Sequence, residues 1–84
     1  MNAEELKISL SDFGPVEVEE DRGRFIAHVV CSRFEEMDDA ERQYQVWERA
    51  RQRFGLQASV DIEFMFTYSQ TEWDELERSR SSVA

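Results

Sequence analysis

Val60-Asp61-Ile62-Glu63-Phe64-Met65-Phe66-Thr67-Tyr68 alternates with a period of two, the pattern of a half-buried strand. The spacing places Val60, Ile62, Phe64, Phe66 and Tyr68 on one face, expected to pack under helices. It places Ser59, Asp61, Glu63, Met65 and Thr67 on the other, expected to be mostly wet. Upstream, Phe25-Ile26-Ala27-His28-Val29-Val30-Cys31 is apolar at nearly every position, which predicts a central strand. Between these strands Asp38 and Glu41 form a helix cap with its reciprocal acid. Ala40, Tyr44, Trp47, Ala50 and Phe54 then make one helical stripe, which Gly55 closes. A helix of this length suffices for a right-handed crossover, so the two strands should run parallel.

Working outward, Asn2 with Glu5 reads as a capped helix start, and Leu6, Leu10 and Phe13 recur at helical spacing until Gly14-Pro15 ends the helix. Val16-Glu17-Val18-Glu19 alternates as a strand, and Asp21-Arg22-Gly23 turns it into the central strand as an antiparallel hairpin. At the far end Ser69-Gln70-Thr71-Glu72 is a further capping box. Tyr68 and Trp73 flank it as a hydrophobic staple, and Leu76 continues the helix. Residues 78–84 read as a frayed tail. The order is α-β-β-α-β-α: a two-layer α+β domain with a three-stranded mixed sheet and helices on one face. Whether the third strand lies beside the first or the second is not fixed by the sequence. Eighty-four residues fit one domain, 1–84, with loosely ordered ends expected at about 1–4 and 79–84.

The net charge is −9, from 10 Lys and Arg against 19 Asp and Glu, which opposes binding to nucleic acid or an anionic membrane. Residues 22–55 stand apart, with seven arginines to six acids. They form either a solvated surface or an arginine-bearing partner site. The single Cys31, with no leader segment evident, predicts a reducing, cytoplasmic setting. His28 and Cys31 lie three apart on a strand and so point to opposite faces, which excludes a shared metal within one chain. A buried, hydrogen-bonded strand histidine and a small core thiol are the readings preferred. The acids from Glu35 to Glu41 lack the alternate spacing and internal glycine of a calcium loop. No Ser, His and Asp set and no glycine-rich phosphate loop can be assembled, so no enzyme is expected.

From about Leu6 to Leu76 the chain resembles the BolA family. Two stretches carry the likeness: Phe25 to Val30 leading into Ser32-Arg33-Phe34, with Arg42 on the following helix, and Thr67-Tyr68-Ser69-Gln70-Thr71-Glu72-Trp73-Asp74-Glu75-Leu76. The resemblance implies a fold like a class II KH domain, no enzymatic activity, and partnership with monothiol glutaredoxins through a shared iron–sulfur cluster. It also implies a ligand histidine at the start of the third strand, followed by Ala-Leu. Here Asp61 stands there, followed by Ile62-Glu63, and Gln43 replaces the family's histidine after the helix arginine. A carboxylate is a harder ligand than imidazole. No Gly-x-x-Gly segment offers a KH-type clamp for nucleic acid.

The expectation is therefore a BolA-like interaction or regulatory protein that has lost the cluster ligand and carries no cofactor. A protein partner is expected, with Arg33, Arg42 and Asp61 as candidate partner-binding residues. The first alternative is retained cluster sharing with a monothiol glutaredoxin through Asp61 or Cys31. The second is nucleic-acid binding, on fold analogy alone.

Overall fold

The computed structural model describes residues 1–81. Helix α1 (Ala3–Leu10) begins on a complete capping box. The Asn2 side chain accepts from the Glu5 N–H at 2.8 Å, and the Glu5 carboxylate accepts from the Asn2 N–H at 3.1 Å. Strand β1 (Val16–Asp21) and strand β2 (Arg24–Val30) form the expected antiparallel hairpin, with Val16 opposite Val29 and Asp21 opposite Arg24. Its two-residue turn puts both Arg22 (φ 55°) and Gly23 (φ 80°) in the left-handed region, as a turn matching the strand twist requires.

A 3₁₀ segment (Ser32–Glu36) leads to helix α2 (Asp39–Phe54), whose Asp38 cap accepts from the Glu41 N–H at 2.9 Å. A short helix α3 (Gln57–Asp61) precedes strand β3 (Ile62–Tyr68), and helix α4 (Gln70–Ser81) follows. Strand β3 runs parallel to β2, and the sheet order is β1-β2-β3, so β2 is central as expected. The result is an α+β domain with a three-stranded mixed sheet and α1 and α2 on one face. Between them lie Leu6, Leu10, Phe25, Ala27, Val29, Val46 and Ile62, all buried. No helix among the described residues is long and apolar enough to cross a membrane.

Four sequence expectations need correction. First, β3 keeps the phase its alternation predicts at Ile62 but takes the opposite one from Phe64 onward. Phe25 pairs with Ile62 but Ile26 pairs with Phe64, so a bulge at Glu63 slips one residue out of the ladder. Ile62 and Met65 consequently face the helices, while Phe64 (54 % exposed) and Phe66 (44 %) face out. Second, Val60 is on α3 rather than on the strand, and it is exposed. Third, of the expected α2 stripe Trp47, Ala50 and Phe54 pack on the core but Ala40 and Tyr44 are exposed, and the buried line is Arg42, Val46 and Ala50 at four-residue spacing. Arg42 hid this stripe because a buried arginine breaks an apolar pattern. Fourth, helix α4 runs past residue 78, where the sequence reading ended it, while α1 starts on the cap expected at Asn2. The cap at Asn2 organises the first turn, and α4 extends through Ser81; residues 82–84 of the expected tail lie outside the described residues.

Candidate functional site

With α1 and α2 on one face, the opposite face of the sheet carries the strands' own side chains, joined at its Tyr68 end by Trp73 of α4. Alternation along β1 turns Glu17, Glu19 and Asp21 toward it, opposite His28, Ile26 and Arg24 of β2. The bulge in β3 turns Phe64, Phe66 and Tyr68 toward it. The rings form a continuous row. Phe64 and Phe66 have centroids 5.9 Å apart, Phe66 stacks on His28 at 5.2 Å, His28 stacks on Tyr68 at 6.0 Å, and Tyr68 meets Trp73 of α4 edge-on at 5.1 Å. The Tyr68–Trp73 contact is the staple anticipated across the α4 cap.

His28 connects the two halves of this face. Its Nε2 lies 2.8 Å from Glu19 Oε2 and its Nδ1 3.2 Å from the Tyr68 hydroxyl. The carboxylate only accepts, so Nε2 donates, and in the neutral ring Nδ1 is left to accept from the hydroxyl. His28 is hydrogen-bonded as expected, but its ring is partly exposed on the open face rather than buried. Burial raises the Tyr68 phenol above its ordinary value; Arg80 opposes the shift, and Glu17 and Glu19 add to it.

Of the three candidate residues named from the sequence, the structure brings Arg33 and Arg42 to one end of the sheet and leaves Asp61 at the other. The ends are roughly 20 Å apart along β3. Arg42 is 8 % exposed and committed internally. Its Nε donates to the Met37 carbonyl at 3.1 Å, and Nη1 donates to Glu72 Oε1 at 2.7 Å. The same Glu72 oxygen accepts from the Ser69 N–H at 2.7 Å, and Ser69 Oγ accepts from the Glu72 N–H. Arg42 thus ties α2 to the capping box of α4. Arg33 is exposed on the 3₁₀ segment, its guanidinium 5.9 Å from the Phe13 ring.

Those contacts have a pH consequence. The Ser69 backbone N–H, then the Arg42 side chain, hold the Glu72 carboxyl below its ordinary value. A carboxyl depressed in the folded state contributes stability above its unfolded pKa and loses it as pH falls. The loss should begin below about pH 4.3, the ordinary glutamate value, and continue through the lowered one. Arg42→Met should cost about 1–3 kcal/mol at neutral pH by stripping donors from the Met37 carbonyl and Glu72. Denaturant melts at pH 7 and pH 3 should show a smaller acid loss in the variant than in the wild type.

Asp61 is the last residue of α3, at the mouth of β3. Beside it Arg24 donates from Nε to the Val60 carbonyl at 3.2 Å and from Nη2 to the Ile62 carbonyl at 3.1 Å. Cys31 is 2 % exposed and near the opposite end of the sheet, where its N–H donates to the Tyr68 carbonyl. His28 lies between them on the open face. Asp61, Cys31 and His28 thus lie apart, and among the described residues no group of three His, Cys, Asp or Glu side chains could hold a metal ion. Gln43, at the other replaced histidine position, has a structural task. It donates to the Met65 carbonyl on β3 at 2.8 Å and accepts from Trp47 Nε1 at 3.1 Å.

The sequence reading missed the aromatic row because it assigned Phe64 and Phe66 to the core. A signal was present in β2, where His28 alternates with Ala27 and Val29 and so marks an outer face. Without the strand register, nothing linked that face to the phenylalanines of β3. Comparison with known proteins finds no matching family model, curated protein or solved structure.

Proposed function

We propose that this chain is a non-enzymatic interaction protein of the BolA-like kind that has lost the family's cluster ligand and docks a protein partner on the open face of its sheet. The observation that carries the reading is the pair Phe64 and Phe66, side by side and about half exposed. Leu56, Ile8, Val60 and Tyr44 are more exposed, but Phe64 and Phe66 are adjacent rings in one row on the open sheet face, and a contiguous apolar patch of that kind marks a surface for contact. The acids of β1 on the same face disfavour nucleic acid as the occupant, since phosphates would meet Glu17 and Glu19.

The test compares wild type with a Phe64→Ser, Phe66→Ser double variant in affinity capture from the source cell. A protein retained by the wild type and lost by the variant, with both melting alike, is the expected result. Equal capture, or none, overturns the docking reading. In a second arm the wild type is mixed with a cluster-loaded monothiol glutaredoxin and should leave the visible spectrum unchanged. A spectral change would reinstate cluster sharing, and Asp61→His shows whether an imidazole at that place is enough to produce one.

A further inference from the structure

The open face is divided lengthwise. Glu17 and Glu19 occupy its β1 side, Phe64 and Phe66 its β3 side, and Ile26 and His28 lie between them on β2. Adjacent strands are about 4.8 Å apart, so the acidic and aromatic columns are separated by roughly 10 Å. That is close to the width of one α-helix with its side chains. Of the nearby arginines, Arg80 acts on the Tyr68 phenol and there opposes Glu17 and Glu19, which keep the β1 side of the face acidic. Arg24 is tied to the carbonyls of Val60 and Ile62 at one end, beside Arg22 in the turn, and Arg80 lies over the Trp73 ring at the other.

Resting on the docking reading above, we infer that the occupant of this face is an amphipathic helix of a partner protein with an apolar stripe and a basic flank. The apolar stripe packs on Phe64, Phe66 and Ile26. The flank, laid over β1, pairs with Glu17 and Glu19 and can also set a guanidinium against an aromatic face. A second copy of this chain is a poor occupant, because its own net charge of −9 would be brought against the same sign. A nucleic acid or an anionic lipid surface meets the same repulsion. The seven residues of β3 span the length of a helix of about 14 residues, which sets the size of the probe.

The probe is a synthetic peptide of that length with leucines at i, i+3 and i+4 spacing and arginines along one flank, beside its twin with glutamates in place of the arginines. Amide chemical shifts of the labelled full chain report the site. The arginine peptide should shift the amides of residues 17–20, 26–28 and 64–68, and more weakly as ionic strength rises. Glu17→Gln with Glu19→Gln should weaken it about tenfold, the loss of two modest ion pairs. The Phe64→Ser, Phe66→Ser variant should abolish the shifts. Equal binding of the glutamate twin overturns the basic-partner inference while leaving the docking face intact. Shifts of the same amides by a labelled oligonucleotide, or self-association through this face in sedimentation, overturn it in favour of those occupants.

Discussion

Phe34→Ala should cost about 3–5 kcal/mol of folding stability, the range for emptying a core aromatic site, while Phe64→Ala should cost less than about 0.5 kcal/mol. Phe34 is fully buried. Its ring is 5.8 Å from the Phe13 ring and lies under the Arg42 guanidinium, also at 5.8 Å. It sits on the 3₁₀ segment where the exit of β2, the start of α2 and the cap of α4 converge, so neighbours tied by hydrogen bonds cannot close over the void. Phe64 has more than half its surface in water, and truncation leaves no cavity. The small loss at Phe64 reverses what the alternation of residues 60–68 predicts, which is a core position there. Equal losses at the two positions in urea melts would mean that the bulge at Glu63 is misplaced.

That reversal separates what local chemistry decides from what packing decides. The three helix starts at Asn2, Asp38 and Ser69 are legible because the cap and its partner are three residues apart in sequence. The hairpin is legible because Asp21-Arg22-Gly23 interrupts two strand-like runs, and the parallel crossover follows from chain connectivity. The phase of β3 is not local. Phe25 and Ala27 face inward on β2, and β3 meets them with Ile62 and Met65, which are three apart and need one residue slipped out of register. Nothing in a period-two count reports that slip, and α3 takes up Ser59, Val60 and Asp61 that the count assigned to the strand.

The candidate site divides along the same line. Asp61 stands at the mouth of β3, at the end of α3, a placement that depends on chain order alone. Arg42 belongs to the interior, because its partner Glu72 is thirty residues away and only the tertiary fold brings them together. The aromatic row is assembled from β2, β3 and α4, and it required both the strand order and the bulge before it existed as a surface.

Gly14→Ala should be the most damaging of the glycine substitutions, at about 2–5 kcal/mol, combining backbone strain with overpacking. Gly14 has a φ of +150°, and a Cβ built there falls 2.3 Å from the Val30 carbonyl oxygen and 3.4 Å from its carbon. These are backbone atoms of the central strand, held by the Val30 N–H donating to the Pro15 carbonyl at 2.9 Å, so no side-chain rotation relieves the clash. The chain leaving α1 can cross this close to β2 only without a side chain, and the crossing brings Leu6 and Leu10 down onto the sheet. Gly23→Ala is the control: φ is +80° but no atom lies within 4 Å of the added carbon, so only the left-handed strain of about 1–2 kcal/mol applies. Thermal or urea melts of the two variants should therefore differ clearly. Equal losses would show that the approach of residue 14 to Val30 does not limit the packing of α1.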